Sequence, residues 1–128
     1  MTEIRKALLQ SLAEIGERYA AMRFGQVVCM IATHASEDLL PTPDEVDDLG
    51  LFQAAQAHYS QLNDADRPRT SLTKERRHLL AVLASTGGDR PELGKWLCEL
   101  ASNAHSNVYD VEDEQLLAAL IEQQTVPH

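Results

Sequence analysis

The chain has 128 residues, 44% of them hydrophobic and 5% aromatic, with a net charge of −9 at neutral pH. That is enough to bury one core of a few helices, so residues 1–128 are read as a single domain, and the charge excludes nucleic-acid binding by neutralisation of phosphates, which needs a basic face. No apolar run approaches the roughly 20 residues that span a bilayer, and the N-terminal stretch lacks a signal-peptide core and cleavage site, so a cytoplasmic protein without membrane contact is expected.

The local preference is helical nearly throughout, because Ala and Leu abound and β-branched residues never run together. Helices are predicted at about 3–16, 20–35, 43–48, 50–62, 72–85, 91–105 and 111–123, an all-α compact bundle of six to seven short helices. Gly16 marks the break between the first two. In "TPDE", Thr42 is the expected N-cap of the third, with Pro43 at its first position and Glu45 closing a capping box. The polar stretch 63–71, which contains Pro68, is the linker. Gly87-Gly88 stop the following helix and Pro91 starts the next. Asp110 is the expected cap of the last helix, with Glu112, Asp113 and Glu114 in its first turn, where negative charge meets the positive end of the helix dipole.

The second half echoes the first. A step of 69 residues places Gly25 on Gly94, Cys29 on Cys98, Ala32 on Ala101 and Asp44-Glu45 on Asp113-Glu114, without a gap. Upstream, at a step of 71, "RKALLQSLAE" matches "RRHLLAVLAS", setting Leu8, Leu9 and Leu12 over Leu79, Leu80 and Leu83. Two pseudo-repeats, 1–62 and 72–128, are therefore expected to pack face to face, since two units are too few for a solenoid. Glycine costs roughly 0.5–1 kcal/mol in a helix interior, so Gly25 and Gly94 are predicted where another backbone comes close. Trp96 and Leu97 are predicted in or beside the core.

Arg23, Gly25 and Gln26 form an R-x-G-Q helix start, and Tyr109, Asp113, Glu114 and Leu116 place an aromatic before a D-E-x-L helix start. On these residues the chain resembles short bacterial and phage helical proteins, over about 30 residues in each half. Glu92 and Lys95 replace the Arg and Gln in the second copy, and Leu40 replaces the aromatic in the first. The resemblance implies no particular activity.

No catalytic signature is present. There is no G-x-S-x-G, and Gly87-Gly88 lack the Lys-Ser/Thr of a phosphate loop. Cys29, Cys98 and the five histidines have spacings unlike structural zinc ligands, and under the 69-residue step His34 falls on Asn103 and His105 on Ser36, so no metal or other cofactor is expected. Cys29 and Cys98 lie in apolar helical patterns and read as buried free thiols. Adjacent carboxylates such as Asp47-Asp48 diverge by about 100° around a helix and do not make an acid–base pair.

Charge distribution is the feature left to carry function. Residues 1–62 have a net charge of −5, residues 63–90 of +2 and residues 91–128 of −6. Arg67, Arg69, Lys74, Arg76 and Arg77 make a basic island that either pairs with acidic helix starts inside the molecule or forms a binding surface. Asp44, Glu45, Asp47, Asp48, Glu112, Asp113 and Glu114 are the candidate partner-binding residues of a non-enzymatic module that docks another, basic protein as inhibitor, immunity factor or assembly subunit. The alternative is a small-molecule or enzymatic site between the repeats, with Tyr59, His78, Trp96 and Tyr109 as lining groups.

Overall fold

A computed structural model describes residues 3–19, 21–35, 46–62, 70–86 and 92–125. All regular structure among them is helical: α1 Glu3–Gly16, α2 Phe24–Ala35, α3 Asp48–Ser60, α4 Lys74–Thr86, α5 Leu93–Asn103 and α6 Asp113–Thr125. No helix among the described residues is long and apolar enough to cross a membrane.

Leu8, Leu12 and Ile15 of α1, Phe24, Val28 and Ile31 of α2, and Leu51 and Ala55 of α3 are buried on one face each. Leu79 and Leu83 of α4, Leu93, Trp96, Leu97 and Leu100 of α5, and Leu116 and Leu120 of α6 complete a single core. In α1, α2 and α5 these residues follow the i, i+4 and i+7 spacing, and in α3, α4 and α6 the i, i+4 spacing, of a helix with one apolar stripe. α1 packs on α3 and α2 on α3 in the first half; α4 packs on α6 and α5 on α6 in the second; α1 meets α4 between them.

Several helix starts differ from those predicted, and side-chain caps explain why. α2 begins at Phe24 and not near residue 20, because residues 17–19 turn through Arg18 N–H to Ile15 O and Tyr19 N–H to Gly16 O bonds, and the cap position falls on Arg23. α3 begins at Asp48, with Asp47 as N-cap accepting from Gly50 N–H at 2.7 Å. The expected short helix at 43–48 is not continued through Val46 and Asp47, which are not helical; its remaining residues, including Thr42, Pro43, Asp44 and Glu45, lie outside the described residues, as do Leu40, residues 63–69, Gly87-Gly88 and Pro91. α6 begins at Asp113 rather than 111. Asp110 does not cap it: its carboxylate accepts from Asn107 Nδ2 at 2.8 Å and its N–H donates to Asn107 Oδ1 at 2.9 Å, closing a turn before the helix.

α5 ends where His105 takes a left-handed conformation, φ 59°. Ser106 N–H reaches back to Ala101 O at 2.9 Å, which satisfies an end carbonyl that the helix leaves open.

Candidate functional site

Two ion pairs of the same construction organise the molecule. Near the start of α1, Arg5 Nε donates to Asp48 Oδ2 at 2.7 Å, while Asp48 Oδ1 accepts the N–H of Leu93, the first residue of α5, at 2.7 Å. Near the start of α4, Arg76 Nε donates to Asp113 Oδ2 at 2.7 Å, while Asp113 Oδ1 accepts the N–H of Phe24, the first residue of α2, at 2.7 Å. Each carboxylate is thus held by an arginine of its own half and caps the middle helix of the other half. The pairs are buried, with side-chain exposures of 7% and 10% for Arg5 and Asp48 and of 6% and 15% for Arg76 and Asp113. Arg76 also donates to the Met22 carbonyl at 2.6 Å and lies 5.6 Å from the centre of the Phe24 ring.

Asp113 therefore corresponds in its contacts to Asp48. The gap-free echo pairs it instead with Asp44. From Phe24 to Asp48 the chain has four more residues than from Leu93 to Asp113, and a match by sequence step alone cannot see where the third helix of each half begins.

The R-x-G-Q start has a physical meaning here. Arg23 occupies the N-cap of α2 but has no acceptor to offer the helix, so Asp113 supplies one from α6. Gln26 Oε1 accepts the Arg23 N–H at 3.0 Å, half of a capping box. The freed Arg23 guanidinium donates from Nε and Nη2 to the Tyr109 carbonyl at 3.3 and 3.1 Å. Gly25 sits against the same segment: a Cβ there would fall on the Val108 carbonyl oxygen and lie 2.9 Å from its carbon. The two motifs that carry the resemblance consequently interlock. In the second half Glu92 stands where Arg23 does and reverses the polarity, its Oε2 accepting the Asp48 N–H at 2.8 Å. Gly94 is buried.

Around the Arg76–Asp113 pair, the starts of α2, α4 and α6 bound a polar cleft of about 480 Å³, lined by Met22, Arg23, Thr73, Glu75, Arg76, Glu112, Asp113 and Glu114. Thr73 caps α4 through Oγ1, which accepts from Arg76 N–H at 3.0 Å. Gln115 Oε1 accepts from Glu112 N–H at 2.9 Å at the start of α6. Glu112, 62% exposed at its side chain and 3.9 Å from Arg23 Nη1, stands at the rim with the exposed Glu75 and Glu114. Tyr109 is 51% exposed, with Arg23 5.9 Å from its ring centre.

The seven candidate partner-binding carboxylates thus separate by role. Asp44 and Glu45 lie outside the described residues. Asp48 and Asp113 are not solvent-facing docking groups; they face inward, and an arginine and a helix N–H take up both oxygens of each. Asp47, Glu112 and Glu114 are exposed. Glu75 and Arg23 line the cleft with Glu112 and Glu114; Arg23 is marked in the sequence by its R-x-G-Q start, Glu75 by nothing beyond its charge. Of the basic island, Arg76 is an internal partner, while Lys74 and Arg77 are exposed.

The groups named for a site between the halves do not converge. Trp96 is fully buried and donates from Nε1 to Gln123 Oε1 at 3.0 Å. Tyr59 meets Arg18, Tyr109 meets Arg23, and His78 is exposed on α4. None of them lines the apolar groove of about 520 Å³ between α1 and α4, whose walls are Leu9, Ala13, Leu80 and Ala84. His34, exposed on the last turn of α2, stacks 4.9 Å from His58, whose Nε2 is 2.8 Å from the Tyr19 hydroxyl. Among the described residues no three His, Cys, Asp or Glu side chains gather around a point that could hold a metal ion. The chain matches no family model, no curated protein and no solved structure.

Proposed function

We propose that the chain is a non-enzymatic interaction module that docks a basic segment of another protein at the cleft between the starts of α2, α4 and α6. The observation that carries this is the division of labour among the carboxylates. Asp113 is spent on Arg76 and the α2 cap, whereas Glu75, Glu112 and Glu114 face solvent around the same cleft beside the exposed Tyr109. Acidic groups on a rim speed and orient the approach of a basic partner more than they add affinity, and an exposed tyrosine supplies a large contact with one polar end.

The two halves are best understood as copies of one three-helix unit. Arg5, Asp48 and Leu93 repeat the roles of Arg76, Asp113 and Phe24 atom for atom, and each copy closes the other. What duplication kept, on this view, is the clamp; the docking rim belongs to the second copy.

The test is retention of a host protein on the immobilised chain at low salt, compared with a Glu75→Gln, Glu112→Gln, Glu114→Gln variant that spares Asp113. The expected outcome is a basic protein retained at stoichiometric amount by the parent, released by salt and lost by the variant although its melting temperature does not fall. Equal retention by both would remove the rim from the function.

A further inference from the structure

Besides the acidic cleft, the molecule has a groove of the opposite character. It runs between α1 and α4, holds about 520 Å³, and is walled by Leu9 and Ala13 on one side and Leu80 and Ala84 on the other. These residues correspond at the step of 71 that relates the two helices in sequence, so the apolar walls are copies of each other. The helices run in opposite directions. Glu17, just past the end of α1, accepts from Thr70 N–H at 2.7 Å, and a Cβ on Gly16 would lie 2.9 Å from Arg76 Nη1 and 3.3 Å from Leu72 Cδ2, so the end of α1 adjoins the start of α4. From that junction Ala13 and Leu80 come first along the groove, and Lys6 and Ser85 come last.

The likeness of the two walls stops at the charged positions. Lys6 lines the groove, whereas Arg77, its counterpart at the same step, lines a separate cleft with Glu17 and Leu72. Among the described residues Lys6 is the only charged side chain on the walls, and it is exposed. The groove is thus apolar at one end and cationic at the other. At the cationic end the positive start of α1 meets the negative end of α4, so the helix dipoles offset and the Lys6 ammonium sets the sign. The Ser85 hydroxyl is engaged with the Val82 carbonyl at 3.2 Å, which leaves Lys6 to hold a head group.

We propose that this groove binds an anionic amphiphile with a single saturated chain, a fatty carboxylate, with its tail over Leu80 and Ala13 and its head beside Lys6. Charge complementarity selects the head: in a chain of net charge −9, these walls carry one cation and no carboxylate. The same charge disfavours a second copy, which would bring a further −9 against this molecule. Ala13 and Ala84 leave the width for a chain, and the volume lies within the range of about 300–1,000 Å³ usual for small-molecule sites.

The test is calorimetric titration with sodium decanoate below its micelle concentration, with decanol and decyltrimethylammonium as controls for the head. Saturable binding of one decanoate is expected, roughly fivefold tighter than decanol, which is what an exposed ion pair contributes at most. Decanoate should also bind more tightly than octanoate, by up to about fourfold for each added methylene. Lys6→Gln, an exposed change that leaves the walls intact, should bind decanoate no better than decanol, and Ala84→Phe, which fills the groove, should bind neither. The proposal is overturned if decanoate does not saturate, if decyltrimethylammonium binds as tightly, or if folded Ala84→Phe binds decanoate as the parent does. A parent that dimerises in light scattering, with the dimer broken by Ala84→Phe and not by decanoate, would also overturn it and assign the groove to a second copy.

Discussion

Gly25 and Val108 show how one missing methyl group can be required by a site more than 80 residues away in sequence. The Val108 carbonyl occupies the place of a Cβ, and the obstacle is backbone rather than the end of a flexible side chain. Gly25→Ala therefore gains helix propensity, worth about 1 kcal/mol, but must push α2 off the segment that precedes α6, and overpacking of this kind costs about 1–3 kcal/mol or more. A net loss of stability in urea unfolding is expected; a gain would mean that the segment yields at little cost. The demand on Gly25 was legible in the sequence, because a glycine kept inside an apolar helix pattern in both halves has to be explained sterically. The burial of Trp96 was legible for the same kind of reason, from its place on the apolar stripe of α5. The conformation of His105 was not: histidine enters the left-handed region more often than most residues, but still too seldom for one histidine to announce it.

At the scale of helices, the sequence located the elements well and their first residues poorly. Apolar periodicity fixes the middle of a helix, whereas the start depends on what accepts its first N–H groups, and for α2 and α5 those acceptors are carboxylates from other helices. Nothing local to "MRFGQ" identifies Asp113 as its cap. For the same reason Asp48 and Asp113 read as solvated charge, although they are among the most engaged side chains in the protein. Substitution tests this. Asp113→Asn leaves an acceptor for Phe24 N–H and nearly the same shape, but strands the buried Arg76 guanidinium without a counter-charge, a loss of about 3–5 kcal/mol. Asp48→Asn should also lower stability, because it removes the charge that Arg5 Nε meets at 2.7 Å. Glu114→Gln, one residue from Asp113 but exposed, should change stability by less than about 0.5 kcal/mol. Urea midpoints for the three variants decide the matter; a mild Asp113→Asn would show that the pair contributes little beyond the cap.

For the whole molecule the net charge of −9 and the two buried pairs have opposite relations to salt. Excess like charge on a small surface disfavours the compact state through self-repulsion, and ions weaken that repulsion as the Debye length falls from about 30 Å at 0.01 M to about 3 Å at 1 M. The Arg5–Asp48 and Arg76–Asp113 pairs are attractive, but their burial at 2.7 Å separation shields them from the ion atmosphere. The melting temperature of the parent should therefore rise with added sodium chloride. Asp113→Asn should melt lower at every concentration, with nearly the parent's slope, because the interaction it removes is not screened. Glu75→Gln with Glu112→Gln and Glu114→Gln should start higher at low salt and rise less, because it removes three exposed negative charges from the surface that repels itself. Parallel slopes for parent and surface variant, with a steeper slope for Asp113→Asn, would invert this assignment: the clamp would be the solvated pair, whose attraction salt weakens only in the parent, and the rim would carry no field for a basic partner to follow.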